Sequence, residues 1–262
     1  MERTENIGSG KEKNAGSDGS RAHFGFRDVE TDEKSTLVRG VFDSVADRYD
    51  LMNDLMSGGI HRLWKVSFID QLRPRPGMHL LDVAGGTGDI ALRFREAGGG
   101  RVTVCDINQS MVEVGRDRSI DLNCPDDIEW TVGDAEALPL PDGSVDAYTI
   151  AFGLRNVTQI DTALSEARRV LRPGGRFMCL EFSHVANPAL AELYDRFSFN
   201  ILPLLGRVVA NDEEAYRYLV ESIRRFPSQE ELSARMTAVG LEQVSYRNLS
   251  HGIAAIHLGW RI

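Results

Sequence analysis

Residues 80–90 read Leu-Leu-Asp-Val-Ala-Gly-Gly-Thr-Gly-Asp-Ile. An apolar run meets three glycines within four positions, Gly85, Gly86 and Gly88, with Asp82 before them and Asp89 after. The pattern predicts a buried strand that turns sharply into a helix, because glycine takes positive φ freely and lets a ligand approach the backbone. The helix N-terminus then offers unpaired N–H groups to a carboxylate or phosphate. Gly86-x-Gly88-x-x-Ala91 fits the spacing of a dinucleotide-binding turn, and Asp106 stands near the distance at which an acid would hold a ribose. On these residues alone, a nicotinamide or flavin cofactor, another small ligand, or a tight turn with no ligand all remain open.

Outward from the turn, strands and helices alternate. Strands are expected at 78–83, 101–106, 128–132, 145–151, 176–182, 243–248 and 253–258. Helices are expected at 88–97, 109–117, 160–171, 188–200, 212–222 and 228–239. This order predicts an α/β fold with a doubly wound, mostly parallel, seven-stranded sheet. The last two strands are joined only by Asn-Leu-Ser-His, too short for a crossover, so they should form an antiparallel hairpin. In the helix at 160–171, Leu164, Ala167 and Leu171 form the expected buried stripe. Thr158 and Asp161 suggest a capping box at its start, and Pro173 and Gly174 a stop at its end.

Residues 34–73 read as helical, with Leu37, Val41, Val45 and then Leu63, Val66 and Ile69 as the apolar faces, before Pro74, Pro76 and Gly77 break the chain. Residues 1–22 are polar and rich in glycine and serine, and are expected to form a disordered tail rather than a signal peptide. The remaining 23–262 read as one domain. The net charge of −9 argues against nucleic acid as a partner. Cys105, Cys124 and Cys179 are far apart and odd in number, suggesting neither a disulfide framework nor a metal site, and fitting a cytoplasmic location. No apolar run is long enough to span a bilayer.

The segments after the turn bear on the ligand. Asp106 ends the Arg-Val-Thr-Val-Cys-Asp strand, where its carboxylate would grip a ribose diol. Asp134 and Ala135 follow the third strand, where a carboxylate and a backbone N–H would bracket an adenine ring. Asp82 is awkward beside a pyrophosphate but natural beside a cationic amino-acid ligand, whose ammonium it would hold. The order of acid, glycine loop, ribose acid, adenine loop and Pro-Gly-Gly turn over residues 77–182 resembles the class I S-adenosylmethionine-dependent methyltransferases.

Two further stretches narrow the resemblance. Residues 49–64, Tyr-Asp-Leu-Met-Asn-Asp-Leu-Met-Ser-Gly-Gly-Ile-His-Arg-Leu-Trp, and 151–158, Ala-Phe-Gly-Leu-Arg-Asn-Val-Thr, are similar to the ubiquinone/menaquinone biosynthesis C-methyltransferase family. So are Glu214–Leu232 and the closing Gly252–Trp260. Membership implies S-adenosylmethionine as cofactor, no metal, and a polyprenylated benzoquinol or demethylmenaquinol as the substrate methylated on a ring carbon. By the match, Thr87, Asp106, Asp134 and Ala135 should contact the cofactor, beside Asp82, Gly85, Gly86 and Gly88 of the turn. A further family contact, often serine, is Ala151 here, so any contact there must use backbone.

Methylating carbon requires an electron-rich ring, which deprotonation of a quinol hydroxyl provides. Arg155 and Asn156 stand just past an apolar strand, where their donors would hold the developing phenolate, and Tyr49 would complete the cluster. Arginine is rarely neutral, so electrostatic stabilisation is the expected role of Arg155 rather than that of a base. The alternative is that Arg155 pairs with an acid to order its loop. The Tyr49–Trp64 segment is expected to lie as a lid over cofactor and ring, within a lid of about 34–73. A substrate-side insertion is expected at about 188–225. Its apolar stretch 197–210 reads either as core or as the wall of a prenyl-tail site with peripheral membrane contact, near Arg196, Arg207 and Arg217. A homodimer or a complex with other quinone-biosynthesis enzymes is a further expected partner.

Overall fold

In the computed structural model, residues 21–45, 54, 57–122, 128–185 and 213–262 are described. The expected helix at 188–200, Tyr49, Cys124, Arg196 and Arg207 lie outside them. A hairpin of β1 (Arg21–Phe24) and β2 (Arg27–Glu30) opens this part of the chain and leads into α1 (Thr31–Val45). Next come α2 (His61–Leu72), β3 (Leu80–Val83), α3 (Asp89–Glu96), β4 (Val102–Asp106), α4 (Gln109–Asp121) and β5 (Ile128–Val132). The chain continues with β6 (Val145–Ala151), a 3₁₀ turn (Leu154–Asn156), α5 (Ile160–Val170) and β7 (Leu171–Phe182). It closes with α6 (Glu213–Arg225), α7 (Gln229–Ala238), β8 (Glu242–Leu249) and β9 (Ala254–Trp260).

Seven strands form one sheet in the order β5-β4-β3-β6-β7-β9-β8. β5, β4, β3, β6 and β7 pair in parallel, and β9 runs antiparallel to both β7 and β8. The expected doubly wound sheet and its terminal hairpin are therefore present. β3 and β6 are buried on both faces, which explains their near-continuous apolar sequence. Alternation along β3 sends Leu80 into a core with Phe68, Leu72 and Phe94, and Leu81 and Val83 into a second core with Tyr148, Leu164 and Phe177. The strand order reverses between β3 and β6. This switch point, outside the strands' carboxyl ends, is where ligands bind in open α/β sheets.

Several local expectations are corrected. In α2, Leu63 and Val66 are exposed, at 68% and 46%, while Trp64, Phe68 and Leu72 face the sheet with Ile69. Both helix faces carry apolar residues, and packing of the two large rings against the sheet decides which is inside. The capping box at Thr158 and Asp161 does not form. Gln159 is the N-cap and makes no side-chain cap bond. Asp161 pairs instead with Arg235 at 3.2 Å, while Glu136 Oε1 accepts the N–H groups of Thr158 and Gln159 at 2.8 and 2.9 Å. A complete box stands at Ser228 and Glu231, at the start of α7. α5 ends at Val170, so Leu171 opens β7 and the Pro173–Gly174 turn lies within the residues of that strand. Arg21 and Ala22, expected in the tail, belong to β1.

Candidate active site

Pairing of β3 with β6 sets Asp82 opposite Thr149, whose hydroxyl donates to Asp82 Oδ1 at 2.8 Å. Asp82 Oδ2 is buried without a hydrogen-bond partner among the described residues. Burial pushes its carboxyl up to about 7, and the nearby carboxylates of Asp89 and Asp106 push the same way. A buried carboxylate oxygen with no donor is a place for a cationic group.

The glycine turn follows. A Cβ at Gly85 would fall 2.7 Å from Val104 Cγ1 and 3.0 Å from Asp82 Oδ2, so only glycine lets this backbone fold over the acid. Gly86 donates its N–H to Asp106 Oδ2 at 2.8 Å, and Asn108 donates to Oδ1 at 2.9 Å. Burial raises the Asp106 carboxyl, while these backbone donors hold the opposite way. The carboxylate keeps further lone pairs for a diol. Gly88 has φ +79°, and Trp130 fills the space where its Cβ would be, so this glycine serves packing at the start of α3 rather than the cavity wall.

Two cavities meet at Ala84, Gly86 and Phe152. One is lined by Asp106, Asp134 and Ala135, with Val38 and Arg39 of α1 over it. The other is lined by Asp82, Gly85, Thr87 and Ala151, with Lys65 of α2. Among the expected cofactor residues, all but Gly88 line one cavity or the other. The pair suits a ligand with a ribose and base at one end and a charged amino-acid group at the other.

Beyond β6, the 3₁₀ turn presents Arg155 and Asn156. Arg155 is buried against Glu181 of β7, each side chain 1% exposed, with Nη1 donating to Glu181 Oε1 at 2.6 Å and to the Phe152 carbonyl at 2.6 Å. Its Nε and Nη2 have no hydrogen-bond partner among the described residues. Burial raises the Glu181 carboxyl, and the guanidinium opposes that shift. Asn156 Oδ1 accepts from the Tyr218 hydroxyl of α6 at 3.0 Å. Asn156 lines the same cavity as Asp106 and Asp134. Arg155 lines an adjoining cleft under the β1–β2 hairpin, which shares Val157 and Thr158 with that cavity. Trp64 stands edge-on to Phe182 at 5.9 Å, and Phe152 lies 5.0 Å from Phe182, giving an aromatic wall beside Arg155.

The sequence reading missed Glu181, Tyr218 and Lys65. Glu181 sits in the otherwise apolar Phe-Met-Cys-Leu-Glu-Phe of β7, and Lys65 on the inner face of α2. A charge in a buried run needs a partner, and that was the available signal. His61, in the segment expected as a lid, is buried with Nε2 at 2.8 Å from Asp54 Oδ1, and burial lowers its pKa.

The ubiE/COQ5 methyltransferase family matches this chain over residues 30–261. The chain belongs to that family. The ubiquinone/menaquinone biosynthesis C-methyltransferase UbiE of Paracoccus denitrificans is 58% identical over 241 residues, covering 92% of this chain and 96% of that protein. UbiE of Rhodopseudomonas palustris is 56% identical over 250 residues, covering 93% and 98%. A solved SAM-dependent methyltransferase of Thermotoga maritima, described as a possible histamine N-methyltransferase, shares the fold with a TM-score of 0.63. It does so at 19% identity, over 86% of this chain and all of that one. Membership in the ubiE/COQ5 family settles the choice that the glycine turn alone left open: the ligand class is that of a methyltransferase, not of a dinucleotide oxidoreductase. Among the described residues, no helix is long and apolar enough to cross a membrane.

Proposed function

We propose that the chain methylates a ring carbon of a polyprenylated quinol, benzoquinol, demethylmenaquinol or both, with S-adenosylmethionine, in ubiquinone and menaquinone biosynthesis. Bound across the paired cavities, the cofactor supplies an electrophilic methyl group. Asp82 would hold its ammonium, Asp106 its ribose, and Asp134 with Ala135 its base. Thr87 and the backbone of Gly85, Gly86 and Ala151 complete the cradle.

One observation carries the acceptor half of this reading. Arg155 keeps two buried donor groups, Nε and Nη2, without a partner among the described residues, beside an aromatic wall. Buried donors are ordinarily satisfied, so an oxygen acceptor belongs there. A quinol oxygen fits, and donors from a guanidinium favour its ionised form, which makes the ortho ring carbon a stronger nucleophile. Glu181 holds Nη1, so the guanidinium presents only its remaining edge. Tyr218 holds Asn156 Oδ1, so that amide turns its N–H₂ toward the cavity. The pairing of Arg155 with an acid thus orders the loop and orients its free donors together. Tyr49 is the proposed third member and lies outside the described residues.

α1 and α2 belong to the proposed lid, and 188–225 to the proposed substrate-side insertion. The polyprenyl tail favours a cytoplasmic enzyme working at the inner membrane surface, with a homodimer or biosynthetic complex as its assembly; the apolar stretch 197–210 lies outside the described residues. The test is product analysis by mass spectrometry after incubation with methyl-labelled cofactor and each reduced quinol. Label on ring carbon is expected, and Arg155→Ala should lower turnover about 100-fold or more while the cofactor Kd stays within about twofold. Absence of label in both quinols overturns the reading.

A further inference from the structure

We infer that Lys65 grips the α-carboxylate of the cofactor, so that α2 contributes a binding group to the cofactor site. The inference rests on S-adenosylmethionine as the cofactor and not on the identity of the acceptor. Lys65 lies 4% exposed on the sheet-facing side of α2 and lines the same cavity as Asp82, Gly85 and Thr87. Among the described residues lining that cavity it is the one cation, against Asp82 and Asp89. Among the described residues its ammonium makes one hydrogen bond, to Asp89 Oδ2 at 2.7 Å, and it carries three N–H groups.

The balance of charge explains the arrangement. A cofactor amino-acid group brings one ammonium and one carboxylate. The unpartnered Asp82 Oδ2 suits the first. The α3 N-terminus suits the second, but Asp89 is its first residue, and an acid there repels a carboxylate. Lys65, together with Arg93 at 2.9 Å, neutralises Asp89 and leaves N–H groups of Lys65 to face the incoming carboxylate. The lysine comes from α2, whereas the remaining groups of this subsite come from β3, the glycine turn, the start of α3 and the end of β6. Its neighbour Trp64 packs on Phe152 and Phe182, so a hold on Lys65 also sets the aromatic wall beside Arg155.

The experiment compares S-adenosylmethionine with decarboxylated S-adenosylmethionine, which keeps the sulfonium and the amino group, by calorimetric Kd. Wild type is expected to prefer the carboxylated ligand by about 30-fold, the worth of a charge-assisted hydrogen bond. Lys65→Met should reduce that preference to about threefold or less by weakening S-adenosylmethionine alone, and Lys65→Arg should restore most of it. Lys65→Met leaves Asp89 without its buried partner, so Lys65→Met/Asp89→Asn is measured beside it and should show the same lost preference. An undiminished preference in these folded variants, or an equal loss for both ligands, overturns the assignment. Wild type that binds neither ligand overturns the cofactor reading beneath it instead.

Discussion

The donor end and the acceptor end of the site are built in different ways. The proposed cofactor cradle is drawn largely from consecutive strand ends: Asp82 with its glycine turn, then Asp106, then Asp134 and Ala135, each at or just past the carboxyl end of a parallel strand. Sequence order there is nearly spatial order, because neighbouring parallel strands deliver their carboxyl ends to one crevice. The acceptor side is assembled over longer spans. Arg155 meets Glu181 from the next strand, and Asn156 meets Tyr218 from α6, 62 positions away. The first kind of site is specified by a motif. The second is specified by which buried polar groups need each other.

The sharpest way to break this comparison is to separate what the Arg155–Glu181 pair does for folding from what it does for chemistry. Arg155→Ala leaves a buried carboxylate uncompensated and should destabilise the protein by about 3–5 kcal/mol, read as a loss in denaturant midpoint. Arg155→Met/Glu181→Leu, which replaces both partners by apolar groups, should recover most of that stability while methyl transfer stays about 100-fold or more below wild type. Recovery of activity along with stability would reduce the pair to a structural one.

A pH experiment sharpens the donor side. Asp82 sits at about 7 in the folded chain, against about 4 in an unfolded one. The folded state keeps its proton where the unfolded chain has lost it. The stability Asp82 contributes is therefore full below pH about 4 and is lost as pH rises toward 7. An ammonium partner favours the ionised carboxylate, so cofactor affinity should rise with pH, by up to about tenfold per unit below 7, and level off above it. Asp82→Asn should flatten both profiles, the first by thermal melts and the second by calorimetry. The smallest effect is expected at Tyr218→Phe. Losing the bond to Asn156 should lower turnover a few-fold, with cofactor affinity unchanged, since the net worth of such a bond is about 1 kcal/mol.

The glycine turn, the strand alternation and the terminal hairpin were legible because each is a local pattern with a steric or topological cause. What escaped reading depended on distant residues. Thr158 and Asp161 have the spacing of a capping box, yet Arg235, 74 positions on, takes the acid. α2 carries apolar residues on both faces, so periodicity could not choose Trp64 and Phe68 over Leu63 and Val66; only the sheet does. The β1–β2 hairpin has four-residue strands, more than half of whose residues are exposed, and gives little signal. Glu181 looked like one more residue of a strand until Arg155 stood against it.

Glu136 joins these two halves. It directly follows Ala135 on the loop proposed to hold the adenine, and its carboxylate takes the amides of Thr158 and Gln159 just before α5, close past Asn156. One side chain is thereby anchored at the base-binding loop and tied to the far end of the loop that carries the guanidinium. A nucleoside that seats poorly would slacken this strut, and the fault would register several residues away, where the ring is to be activated.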